Sequence, residues 1–211
     1  MIRLIAIFLV KVYARLFYCH RIYGKAYFPI GGGMICSNHT SFLDPPLIGI
    51  SCPGVIHFLG RDTLFRSRFF GFLIRKLNCH PVKRGQGNSS AFKKALDLIQ
   101  KGNKVVLFPE GKRANDGELQ IGQLGVGMLV YRTNCQVIPV YTAGTYGIWN
   151  TKRRFPKFLG KTACVFGKPL NFADLITLDK KEAQTKITER IMAKIGDLRD
   201  WYRKGAVGSP P

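Results

Sequence analysis

The chain has 211 residues, of which 46% are apolar. That is enough for one domain with a full core and too apolar for a disordered chain. Its 33 Lys and Arg against 12 Asp and Glu give a formal net charge of +21, which attracts anionic lipid, an acidic carrier protein or nucleic acid. No run of five like charges and no zinc-finger or RNA-recognition signature occurs, so no nucleic acid partner is expected.

The first element spans residues 1–18. Its uninterrupted apolar stretch, Leu4 to Val10, is too short to cross a bilayer. A short apolar block behind Arg3 also suits a signal peptide, but no small-residue cleavage site follows. At ~100° per residue, Arg3, Lys11 and Arg15 fall within an arc of about 120° and the rest of the perimeter is apolar. This predicts a helix lying in an anionic membrane interface, because no acidic residue precedes Asp44. The competing reading is a helix packed on the domain with its cations reaching to water.

Strands and helices then alternate. Gly32 to Ser37 reads as a strand and Pro46 to Ile50 as the start of a helix. Val55 to Leu59 is a strand, Phe65 to Leu77 an amphipathic helix, and Cys79 to Lys83 a short strand. Ser89 to Gln100 is the clearest helix, with Phe92, Ala95, Leu96 and Ile99 at i, i+3, i+4 and i+7. Lys104 to Phe108 is a buried strand, and Gly122 to Arg132 is helical despite its glycines. Gln136 to Val140 and Thr162 to Phe166 are strands. A long helix from Lys180 to Lys204 opens with a capping box, Asp179 with Glu182. The alternation predicts an α/β fold, a single domain with a mainly parallel central sheet flanked by helices. The expected organisation is a membrane-associating segment at 1–28, the domain at 29–204 and a disordered tail at 205–211. Of Phe65, Phe69, Phe70 and Phe72, at least half are expected in the core.

Six cysteines occur, none in a C-x-x-C pair, which predicts free thiols and no metal site. Cys36 and His39 are spaced like half a metal site, but no second half is evident.

The segment Ser37-Asn38-His39-Thr40-Ser41-Phe42-Leu43-Asp44-Pro45-Pro46 lies between strand and helix. Residues five apart diverge by ~140° on a helix, but proline after Asp44 disfavours helical geometry there. A turn can fold the carboxylate onto the imidazole. One ring nitrogen is then fixed by the carboxylate, and the other is free to take a proton from a hydroxyl. Asp followed by Pro also suits a simple helix start, and His39 equally suits a structural role. Further on, Phe108-Pro109-Glu110-Gly111-Lys112-Arg113 ends a buried strand in a loop offering backbone N–H groups and a guanidinium. Val82-Lys83-Arg84-Gly85 ends another strand in a basic turn. Ligands bind beyond the carboxyl ends of such strands.

Together these residues resemble the 1-acylglycerol-3-phosphate acyltransferase family. Asn38, His39 and Asp44 match its first motif, and Pro81-Val82-Lys83-Arg84 its second. Phe108, Pro109, Glu110, Gly111 and Arg113 match its third, and Val137-Ile138-Pro139-Val140 its fourth. The chain departs at Lys112, often Thr, and at Ala114, usually Ser. It also has Gly122-Gln123-Leu124-Gly125 where the family commonly has a Phe-Lys pair; Lys112 is a candidate to compensate.

The resemblance implies transfer of a fatty acyl group from acyl-CoA or acyl carrier protein to 1-acylglycerol-3-phosphate, giving phosphatidic acid. His39 would be the general base and Asp44 its orienting partner. Arg84, Glu110, Gly111 and Arg113 would hold the acceptor phosphate. No cofactor or metal is implied beyond the donor substrate. The expected partners are a lysophospholipid acceptor, the thioester donor and an anionic membrane surface, reached from the cytoplasmic face. Glycerol-3-phosphate or another lysophospholipid are alternative acceptors; a basic lipid- or nucleic-acid-binding module is the non-enzymatic alternative.

Overall fold

The computed structural model describes residues 2–28, 31–83 and 89–211. Seven strands form one sheet: β1 (Arg21–Tyr23), β2 (Gly33–Ser37), β3 (Ile56–Arg61), β4 (Cys79–Val82), β5 (Lys104–Leu107), β6 (Val137–Ala143) and β7 (Ala163–Phe166). Their order is β1-β7-β6-β2-β5-β3-β4. Every neighbouring pair is parallel except β6 with β7. The helices are α1 (Ile2–Phe17), α2 (Asp44–Ser51), α3 (Arg68–Lys76), α4 (Ser89–Gln100), α5 (Gly125–Thr133), α6 (Thr145–Trp149), α7 (Ala173–Ile176) and α8 (Lys180–Arg203).

The two faces of the sheet follow from the period of two along each strand. Met34 and Cys36 of β2 join Val105 and Val137 on one face, under α4, α5, α7 and α8. Ile35 joins Val106, Ile138, Val140 and Phe166 on the other, under α1 and α2. Both faces are covered, so the central strands are largely apolar, with Ser37 and Thr142 near their carboxyl ends. The glycines of α5 have a packing reason. A Cβ on Gly127 would come within 2.0 Å of the Gln184 carbonyl oxygen on α8, so only glycine permits that approach.

The N-terminal segment is built into the fold. Ala14 is buried, with Ile7 and Val10 packed beside it, and β1 pairs with β7. The opposite stripe of α1 stays exposed, including Leu9 at 60% and Leu16 at 66%. Both readings of this helix therefore have a physical counterpart, one on each face. The aromatics in and just before α3 correct the sequence expectation: Phe69, Phe70 and Phe72 are exposed, and only Phe65, in the turn before the helix, is half-buried. This helix flanks the edge strand β4, and its outer side is left exposed among the described residues.

The expected capping box is half formed. Asp179 accepts from the Lys181 N–H at 3.0 Å, while Glu182 pairs with Lys186. The tail at 205–211 was expected to be disordered, but it has a defined path. The Lys168 N–H donates to the Pro211 carbonyl at 3.3 Å, and the Trp201 indole donates to the Val207 carbonyl at 2.9 Å.

Candidate active site

The carboxyl ends of β6, β2 and β5 lie side by side, with Ser37 paired to Val140 and Cys36 to Leu107. Three loops leave this edge and meet. The loop after β2 carries His39, the loop after β5 carries Phe108 to Arg113, and α6 follows β6.

His39 Nδ1 lies 2.9 Å from Asp44 Oδ2. The same oxygen accepts the Thr40 and Ser41 N–H groups, each at 2.7 Å. Asp44 therefore reaches back into the loop, although it also opens α2. Its carboxylate is fully buried, and a buried charge needs this many donors. Because a carboxylate only accepts, Nδ1 carries a proton in this contact, and in the neutral ring Nε2 is then the nitrogen with the lone pair. No protein group bonds Nε2 among the described residues.

The backbone of His39 is held from the third motif. Its N–H donates to Glu110 Oε1 at 3.3 Å, and its carbonyl accepts the Ala114 N–H at 2.8 Å. The ring stacks on Phe108, centroids 3.9 Å apart and planes 18° apart. Asn38 is clipped to β6: its Oδ1 accepts the Thr142 N–H at 2.7 Å and its amide donates to the Thr142 carbonyl at 3.1 Å. The Thr142 hydroxyl lies 3.3 Å from Asp44 Oδ1. On the α6 side, the Ser41 hydroxyl donates to the Trp149 carbonyl at 2.6 Å.

The four residues expected to hold the acceptor are placed differently from one another. Arg113 is half-buried, with its guanidinium 3.9 Å from the centre of the Phe42 ring. Phe42 in turn packs on Trp149 at 5.0 Å. Gly111 is exposed at φ +70°, a conformation that favours glycine, and its N–H closes the turn onto the Phe108 carbonyl. Glu110 is 2% exposed, so it supports the His39 loop from below. A carboxylate there would also repel a phosphate. Burial raises it to about 7, against weaker opposing hydrogen bonds from the His39 and Gln120 backbones. Arg84 lies outside the described residues.

The departures from the family pattern have local explanations. Ala114 is buried and contributes its N–H rather than a side chain. The Gln123 N–H donates to the Pro109 carbonyl at 2.7 Å, tying the glycine-flanked segment to the third motif. Lys112 is exposed. Phe42, Thr142 and Trp149 were not anticipated from the sequence, and Phe108 was read as part of the third motif without its stacking role. All six cysteines are free; Cys19 is exposed, and Cys36 is buried in the core with its thiol pushed far up. A cavity of about 700 Å³ lies elsewhere, between α1 and β1, and none of its lining residues belongs to the His39 cluster. Side-chain chemistry, not cavity size, marks the site here.

A family model described as acyltransferase matches residues 19–143, which contain every residue of the His39 cluster except Trp149. The chain belongs to the acyltransferase family. This acyltransferase is 27% identical over 188 residues to the 1-acyl-sn-glycerol-3-phosphate acyltransferase of Bacillus subtilis, covering 85% of this chain and 88% of that one. It is 29% identical over 155 residues to a chloroplastic 1-acyl-sn-glycerol-3-phosphate acyltransferase of Arabidopsis thaliana, covering 72% of this chain and 43% of the relative. The fold is that of the 1-acyl-sn-glycerophosphate acyltransferase PlsC from Thermotoga maritima, with a TM-score of 0.73 at 22% identity over 93% of this chain and 81% of that one. The family inferred from the four motifs is therefore the one found.

Proposed function

We propose that this acyltransferase moves a fatty acyl group from an acyl thioester, on coenzyme A or acyl carrier protein, to the free hydroxyl of 1-acylglycerol-3-phosphate. The observation that carries the reading is the His39–Asp44 contact at 2.9 Å, which leaves Nε2 as an unengaged base. The names of the relatives support the acceptor.

In this reading Nε2 takes the hydroxyl proton as the acceptor oxygen attacks the thioester carbonyl. A tetrahedral oxyanion forms; its collapse breaks the C–S bond, and the imidazolium returns the proton to the leaving thiolate. The products are a free thiol and phosphatidic acid. Asp44 holds the ring and offsets the charge of the imidazolium. The thioester is already activated, so positioning and one proton transfer supply much of the rate. Arg113, with its guanidinium 3.9 Å from the centre of the Phe42 ring, presents a planar donor to the acceptor phosphate; Arg84 is a second candidate for that role. Glu110 holds the base loop rather than the substrate.

No helix among the described residues is long and apolar enough to cross a membrane. The acceptor is an amphiphile, and the exposed apolar residues of α1 and α3 are interleaved with cations. We infer a membrane-associated enzyme working from the cytoplasmic face.

A transfer assay crossing acyl-CoA and acyl carrier protein with several acceptors tests this. Transfer to lysophosphatidic acid from at least one donor is expected. Transfer only to glycerol-3-phosphate, or only to another lysophospholipid, would replace the acceptor assignment.

A further inference from the structure

The segment 151–160, which links α6 to β7, has no role in the chemistry above. It reads Thr-Lys-Arg-Arg-Phe-Pro-Lys-Phe-Leu-Gly. Phe155, Phe158 and Leu159 are 71%, 64% and 65% exposed. Exposed rings in a loop usually mean either a loose segment or a surface that meets something. This loop is not loose. The Lys157 N–H donates to the Ile148 carbonyl at 3.0 Å, the Gly160 N–H to the Phe17 carbonyl at 3.1 Å, and the Tyr18 hydroxyl to the Lys157 carbonyl at 3.2 Å. The rings are therefore held outward by a tied backbone.

They also continue the exposed stripe of α1. Leu9, Val12, Tyr13 and Leu16 recur at i, i+3, i+4 and i+7 and are all exposed. Tyr13 packs on Phe17 at 4.8 Å, and Phe17 packs on Phe158 at 4.6 Å. Helix and loop thus share one apolar surface, although about 140 residues separate them in the chain.

The charge on this surface has one sign. No acidic residue occurs between Glu118 and Asp174 or before Asp44. Lys152 has Asp116 nearby, but Arg153, Arg154 and Lys157 form no ion pair among the described residues. Rings among uncompensated cations suit either an anionic bilayer or single-stranded nucleic acid. The aliphatic members decide between them. Leu9, Leu16 and Leu159 have no π face to stack on a base, and they fit acyl chains below a layer of headgroups.

We propose that residues 151–160 and the exposed stripe of α1 form one face that docks on an anionic lipid bilayer. The loop begins two residues after Trp149, whose carbonyl holds Ser41 of the His39 loop. Docking therefore brings the candidate active site beside the lipid surface. Only this consequence rests on the acyl-transfer reading; the docking itself does not.

The experiment measures binding to phosphatidylcholine vesicles with and without a quarter phosphatidylglycerol. Transfer to a short-chain, monomeric lysophosphatidic acid is assayed in parallel. The variants are Phe155→Ser, at a ring that is 71% exposed beside Arg154, and the triple change Arg153→Gln, Arg154→Gln, Lys157→Gln. Phe155→Ser is expected to weaken vesicle binding about tenfold, the effect of withdrawing one aromatic side chain from an apolar phase. The triple variant is expected to weaken binding to anionic vesicles about a hundredfold and to flatten its salt dependence. Melting temperature and transfer to the monomeric acceptor should stay at wild-type level. Unchanged vesicle binding in both variants would overturn the proposal. So would single-stranded RNA binding by a wild-type chain that ignores vesicles, or loss of transfer to the monomeric acceptor in Phe155→Ser. A wild-type chain that transfers to no acceptor but binds anionic vesicles through these residues would remove the proposed function and leave the docking face standing.

Discussion

The oxygen Asp44 Oδ2 receives three N–H groups, one from the His39 ring and two from the backbone of Thr40 and Ser41. Its removal would disturb both the base and the loop that carries it. Asp44→Asn keeps an oxygen acceptor for that position while removing the negative charge, so it separates the two effects. With the fold preserved, we expect Asp44→Asn to lower kcat by about tenfold or more, and His39→Ala by about 10²–10⁴. Circular dichroism and the transfer assay check this; full activity in both folded variants would end the dyad reading. Glu110 predicts a pH effect. Its proton, held up to about 7 in the folded chain against an ordinary 4.5, stabilises fully below pH 4.5. That contribution is lost as the pH rises to 7. The interval is worth about 2 kcal/mol after allowing for screening. His20 acts in the opposite sense: burial pulls it down to about 4, with its neutral ring bonded to Thr162 and Ser51 at 2.8 Å each. Its contribution is present above pH 6.5 and lost as the pH falls to 4. The two slopes oppose each other between pH 4.5 and 6.5. Burial lowers His57 and His80 as well, so the wild-type urea midpoint should decline toward acid across that window, with Glu110 offsetting part of the fall. The urea midpoint of Glu110→Gln should fall more steeply toward the acid side, the difference corresponding to about 2 kcal/mol of stability; parallel curves would show that Glu110 does not titrate as proposed.

At the scale of elements, what was legible depended on length and on sequence separation. The α4 helix, Ser89–Gln100, was read to the residue, because twelve residues show a helical period clearly. Strand β1 has three residues and α6 five, too few for any period, and both were missed. Strand β6 was expected to end at Val140 but continues to Ala143, and that extension delivers Thr142 to Asp44. The dyad was visible because its partners are five residues apart. The Asn38–Thr142 clip spans 104 residues, and no local pattern encodes such a contact. Glycines in α5 looked like a weakness of the helix, yet Gly127 is what lets α5 meet α8. Gly127→Ala would gain about 1 kcal/mol of helix propensity. It would also place a methyl against the Gln184 carbonyl, where overpacking costs about 1–3 kcal/mol. Backbone atoms cannot rotate away as a side chain can, so we expect net destabilisation and a lower urea midpoint. An equal or higher midpoint would mean that α5 shifts freely on α8.

For the whole molecule, the decisive feature is that one helix serves two media. The inner face of α1 places Ala14, Ile7 and Val10 on the core under α2, and Tyr18 just beyond it is buried. The outer face leaves Leu9 and Leu16 in water. Deleting residues 1–20 would therefore remove a possible membrane contact and part of the core together. It would also remove the backbone bonds from Gly160 and Thr162 to Phe17 and Tyr18. Burying one such side chain is worth about 1.5–3 kcal/mol, and a domain has only about 5–15 kcal/mol in total. The truncated chain is expected to melt well below the full one or to be insoluble, so its loss of vesicle binding would carry no information. Leu9→Gln with Leu16→Gln changes only the outer face. That pair should leave the melting temperature within about 2 °C and reduce partition to anionic vesicles. If the truncated chain melts like the full one, α1 is an appendage after all and the inner-face account fails. If the Leu9 and Leu16 changes lower the melting temperature instead of vesicle binding, the outer stripe is covered in solution by protein, and the bilayer is not its partner.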